Sequence, residues 1–180
     1  MLLLLLLQLQ LLLQFALSAP SDEAVPKTLN ITTIAANARR ESTLECWQLD
    51  APFVASATAG TSGAIFAQLG LTGASSYGII PAEFNGGLHN APVVQWVAFI
   101  AGEAVISLPN STQQARIQGG RHGLILAADT ANVSTLGHIT NYPSKHETVA
   151  LQIPTVNNEI PSHQVLHEGA CVPDEENNQK

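Results

Sequence analysis

Short apolar runs broken by turn residues fill the middle of the chain, and their lengths are those of strands. GAIFAQLG (63–70) follows a Gly-Thr-Ser-Gly turn, and SYGIIPAEF (76–84) ends before Asn85-Gly86-Gly87. PVVQWVAFI (92–100) and EAVISLP (103–109) flank Ala101-Gly102 and predict a hairpin, and GLILAAD (123–129) and HETVALQIP (146–154) complete the set. Long stretches of 3.6-residue periodicity are lacking, and Gly-rich turns recur at short intervals. That pattern predicts an all-β domain, an antiparallel sandwich or a small barrel.

The flanks have a different character. MLLLLLLQLQLLLQFALS is apolar up to Leu17 and is followed by small residues, the pattern of a secretory signal peptide over 1–18 with cleavage before Ala19. A membrane anchor of similar length is the competing reading, but no basic cluster follows it. Residues 19–43 are polar and without a sustained period; they predict a short irregular N-terminal arm, with a short helix allowed near Ala35–Arg39. The domain then runs from 44 to 171, and 172–180 is an acidic, polar tail expected to be disordered.

Composition sharpens the compartment. Two cysteines, Cys46 and Cys171, sit near the two ends of the domain, and in an oxidising compartment an even pair reads as a disulfide. Asn30, Asn110 and Asn132 each open an N-glycosylation sequon. These features agree with a secreted protein that has no membrane contact after signal cleavage. A net charge of −7 with only seven Lys and Arg excludes a nucleic-acid footprint. A homodimer is left open.

Candidate chemistry lies in 86–105. Side chains two apart on a strand share a face, so His89, Gln95, Val97 and Phe99 fall on one parity and describe an apolar pocket with sparse polar groups. Trp96 has the opposite parity and is expected between the domain and the arm; Trp47 is expected to pack over the disulfide. His163 and His167, four apart, fit a solvated face of a short helix. Asp129 reads as a strand-end hydrogen bonder. No nucleophile elbow, HExxH, phosphate loop or dinucleotide fingerprint is present, and the pocket positions lack the paired carboxylates of glycoside hydrolysis.

HNAPVVQWVAFIAGEAVISLPN, then GRHGLILAADTANVSTLGHIT, then TVALQIP, resemble a single-domain cupin, with the small secreted and biosynthetic-cluster fungal cupins nearest in pattern. The resemblance covers about 77–154 and implies a jelly-roll barrel. Gly102 matches the hairpin glycine of the family's first motif, and Arg121-His122-Gly123 stands where the second motif has its Pro-Gly turn. His89 falls on the first metal-binding His, Ala91 on the second, Gln95 on the Glu and His138 on the last His. The resemblance thus implies an incomplete ligand set, His89, Gln95 and His138, for a divalent metal. Two neutral imidazoles and an amide leave the ion's charge uncompensated in an apolar barrel, although Cu or Zn would accept two imidazoles with water or substrate. The alternatives are histidines hydrogen-bonded within the core, and a metal-free site in which His89 or His138 works as acid or base. Two functions follow. One is a secreted enzyme acting on a small, largely apolar molecule, an aromatic polyketide for example, by isomerisation, decarboxylation, cyclisation or oxygenation. The other is a non-catalytic protein that binds a small ligand or a host or cell-wall component.

Overall fold

A computed structural model describes residues 27–172. The expected signal segment, the first residues of the arm and the tail beyond Val172 lie outside the described residues. The strands are β1 (Thr28–Ala36), β2 (Ser42–Pro52), β3 (Val54–Ala55), β4 (Ile65–Phe66), β5 (Ser76–Ile80), β6 (Phe84–His89), β7 (Gln95–Ala101), β8 (Glu103–Ser107), β9 (Gln114–Gln118), β10 (Leu124–Ala127), β11 (His138–Tyr142), β12 (Thr148–Pro154) and β13 (His163–Glu168). The all-β expectation holds.

Seven strands form one sheet in the order β13-β2-β1-β10-β7-β12-β5, and four form another, β6-β11-β8-β9; β3 and β4 make a separate two-stranded ribbon. Pairing is antiparallel except between β1 and β10. The two larger sheets pack face to face. Ile34, Leu44, Val97, Phe99, Ile125 and Ala127 of the first share one core cluster with Ala104, Ile106, Ala115 and Ile117 of the second. Among the described residues no strand pairing joins these two sheets, so the arrangement is a two-sheet sandwich and not a closed barrel.

A second cluster lies on the opposite face of the seven-stranded sheet and contains Ile31, Trp47, Leu49, Trp96 and Leu126. The seven-stranded sheet is therefore apolar on both faces, which explains the first correction. Residues 28–43 do not form an irregular arm with a helix near Ala35–Arg39. Thr28–Ala36 is β1, a central strand between β2 and β10, with Asn30 to Ala35 all buried. A strand buried on both faces has no polar side to alternate with, so TLNITTIAA hides its period. The β-branched Ile31, Thr32, Thr33 and Ile34 suit such a position.

The second correction concerns Gly102. β7 and β8 do not form a hairpin: β7 pairs with β10 and β12, and β8 with β9 and β11. Gly102, at φ +80°, is a corner at which the chain crosses from one sheet to the other. A Cβ there would lie 2.3 Å from Thr148 Oγ1, so the corner needs glycine for space as well as for conformation.

Cys46 of β2 and Cys171 are disulfide-bonded, with Cα atoms 4.6 Å apart and a sequence separation of 125. By chain entropy such a loop closure stabilises by about 4–5 kcal/mol. Trp47 does not cover this bond. Neighbours on a strand face opposite ways, and Trp47 lies in the second cluster, stacked on His163 with ring centroids 3.4 Å apart. His163 and His167 belong to β13, not to a helix. Trp96 is fully buried in the same second cluster, together with Ile31 and Ala35 of β1 and with Leu69, whose carbonyl oxygen accepts from its Nε1 at 3.1 Å.

Candidate functional site

β11 pairs with β6 so that His138 lies directly opposite His89. Gly137 makes this approach feasible, since a Cβ at that position would stand 2.0 Å from the His89 carbonyl oxygen. The two imidazoles have centroids 4.5 Å apart and are tilted by 57°. His138 is 4% exposed and His89 is exposed, so one ring is inside and the other stands at the mouth.

Gln95 reaches the same place by another route. It begins β7, in the opposite sheet, while His89 ends β6; the chain leaves strand geometry between them, around Pro92. The single-strand parity joining His89 to Gln95 is therefore not the reason they meet. They converge because the two sheets face each other. Together with Val97 and Phe99, they and His138 line a cavity of about 120 Å³ between the sheets. Ala91, at the position of the family's second His, lines it too, as do Thr140 and Tyr142. Burial raises the Tyr142 phenol above its ordinary range, which keeps its proton in place.

Behind His138 lies the feature that the sequence did not announce. Asp129, fully buried just after β10, accepts a hydrogen bond from His138 Nδ1 on Oδ2 at 2.7 Å. The same oxygen accepts from Ser42 Oγ at 2.7 Å, and Ser42 Oγ is 2.8 Å from Ser134 Oγ. The Gly137 amide donates to Ser134 Oγ, and Asn90 Nδ2 donates to the carbonyl oxygens of Asp129 and Ser134. The network ties the 128–137 segment to β2 and β6. Arg40 fastens it further through the Ala131 and Asn132 carbonyl oxygens. Asp129 Oδ1 is buried without a hydrogen-bond partner among the described residues.

These contacts set the imidazole tautomers. His138 Nδ1 faces a carboxylate, and His89 Nδ1 lies 3.0 Å from the Gly87 carbonyl oxygen. Both partners accept only, so each Nδ1 carries a proton and each Nε2 is the free lone pair. Gln95 is 6% exposed and lines the cavity. The arrangement offers two proton-accepting nitrogens in a cavity that also presents Gln95, Thr140, Tyr142 and Gln152.

A divalent metal meets this set only in part. Anchoring each Nδ1 on an acceptor is how metal-binding histidines are commonly oriented. The lining has no carboxylate, however, and among the described residues no group of three or more His, Cys, Asp and Glu side chains forms a metal site. The donor set does not fit a resident divalent ion, and no step below depends on one.

Of the expected glycosylation positions, Asn110 and Asn132 are exposed. Asn30 is 5% exposed in β1, and its Oδ1 accepts from Gln48 Nε2; a glycan there is incompatible with this packing. A larger hollow of about 450 Å³ lies on the outer face of the seven-stranded sheet beside Trp47. Its ionisable groups are committed, Glu45 to Trp47 Nε1 and His163 to the stack. No protein-family model and no curated protein matches this sequence.

Proposed function

We propose that this chain is a secreted protein of cupin-like, jelly-roll ancestry that carries out proton transfer on a small, largely apolar molecule held between its sheets. The observation that carries this reading is the 2.7 Å pairing of Asp129 with His138 Nδ1, with the His89 ring beside it on the paired strand. A buried carboxylate on Nδ1 holds the ring in one tautomer and stabilises the imidazolium formed when Nε2 takes a proton. General acid–base catalysis by such a group contributes about 10²–10⁴ in rate. Two imidazoles at one cavity suit reactions that remove a proton and return it elsewhere, as isomerisation and ring closure do. The cavity's 120 Å³ is below the ~150 Å³ of an apolar hole that binds benzene. A polyketide would enter with at most one ring, the rest lying at the mouth beside His89. The disulfide supports the secreted reading.

The test is deuterium wash-in from solvent at the carbon next to the carbonyl in a panel of small ketones. The wild-type chain should accelerate exchange, and His138→Gln should reduce the effect by about 10²-fold or more. No acceleration by folded protein across the panel contradicts the reading.

One observation favours the second function, a non-catalytic binder. The Ser134–Ser42–Asp129–His138 chain anchors the 128–137 segment and would do so with no chemistry at all. On that reading, ligands of the cavity bind and leave with their carbon-bound protons unexchanged.

A further inference from the structure

Resting on the acid–base reading of this cavity, we infer that its ligand is a small organic acid, bound as the anion together with one proton taken up by the His89–His138 pair. The argument starts from the tautomers. Each Nδ1 is committed to an acceptor, so two Nε2 lone pairs serve one cavity, whose other polar side chains are Gln95, Thr140, Tyr142 and Gln152. A ligand that only accepts hydrogen bonds leaves both nitrogens unpaired. A ligand with an acidic O–H engages one of them: its O–H bond breaks, an N–H bond forms at that Nε2, and the electron pair stays on the ligand oxygen.

The remaining polar groups suit that oxygen. Gln95 and Thr140 are 6% and 4% exposed, and both side chains line the cavity. An amide N–H and a hydroxyl are donors for an anionic oxygen. Tyr142, held protonated by burial, adds a second hydroxyl to the lining.

Charge makes proton uptake necessary. No Lys, Arg, Asp or Glu lines the cavity; the ionisable groups at it are His89, His138 and Tyr142, with Asp129 behind His138. An anion entering alone would be buried without a counter-ion, at high cost. An anion entering with one proton meets an imidazolium, whose far nitrogen at His138 is hydrogen-bonded to Asp129 Oδ2 at 2.7 Å. The volume restricts the acid to a few carbons or a single ring.

The experiment titrates the chain with propionate and with its neutral isostere propionamide, in weakly buffered solution at a pH where imidazoles are mostly neutral. Side-chain ¹⁵N shifts of Gln95 and both imidazoles report binding, and a pH indicator counts protons. The expected result is saturable one-to-one binding of propionate with uptake of about one proton, and at least tenfold weaker binding of propionamide. His138→Gln should abolish the uptake. Val97→Phe, which fills the cavity and keeps both histidines, should abolish binding and serves if His138→Gln does not fold. Equal binding of acid and amide, binding without proton uptake, or binding that requires added zinc overturns the inference. Proton-linked binding of propionate with no deuterium wash-in on any ketone would leave the inference standing and remove the catalytic reading instead.

Discussion

Gly137 sets how closely the two imidazoles can meet. Its φ of +81° lies in the left-handed region, and the His89 carbonyl oxygen occupies the space a Cβ would need. Gly137→Ala should cost at least about 2 kcal/mol, from backbone strain of about 1–3 kcal/mol plus the displacement of β6. Chemical denaturation measures it, and a loss below ~0.5 kcal/mol would show that β6 yields freely. Asp129→Ala carries a separate expectation. It leaves His138 Nδ1 and the Ser42 hydroxyl without their buried acceptor, a penalty of about 1–3 kcal/mol, and it frees the ring to change tautomer. At this scale the sequence was legible in part. His89, Gln95 and His138 stand out as polar residues among apolar neighbours, and they do line one cavity. Asp129 was readable only as a strand-end hydrogen bonder, because nothing local points it at His138, and Ser42 lies 87 residues away from it in sequence.

At the scale of elements, β1 is the test of how the sheet is held. It joins β2 to β10, and removing it would separate β13 and β2 from the rest of the seven-stranded sheet. A chain beginning at Leu44, the boundary that polarity suggests, should therefore not fold; circular dichroism and hydrogen exchange of that fragment would show it. A native-like, protected fragment would mean that β1 is dispensable. The strand escaped polarity reading because both of its faces are buried, whereas half-buried strands announce themselves by alternation. The β7–β8 hairpin failed for a related reason: a glycine between two apolar runs marks a turn back and a corner between sheets equally well. The disulfide gives a further expectation. β13 is an edge strand, held by pairing to β2 and by the Cys46–Cys171 bond just beyond its end. Reduction should lower stability by about 4–5 kcal/mol and release amide protection in β13 before β7 or β10. Unchanged protection in β13 after reduction would assign its stability to the β2 ladder alone.

For the whole molecule, the all-β class followed from short apolar runs and frequent glycines, while the partition into two sheets did not. Runs that join different sheets have the same composition as runs that pair, so hydrophobicity cannot sort them; side-to-side pairing depends on contacts far apart in sequence. That partition is what brings His89 and Gln95, from opposite sheets, to one cavity. Export is a property of the entire chain: mature protein from culture medium should begin at Ala19, and an intact Met1 in secreted protein would contradict cleavage. The central claim is that acceptors on both Nδ1 atoms leave two proton-accepting Nε2 atoms at this cavity. Long-range ¹H–¹⁵N correlation of the histidine rings in the folded wild-type chain tests it most directly. The account predicts, above the pH range of imidazole protonation, that His89 and His138 are both Nδ1–H tautomers with unprotonated Nε2, and that their rings show a mutual nuclear Overhauser effect. An Nε2–H tautomer at His138, or rings with no mutual effect, would contradict it.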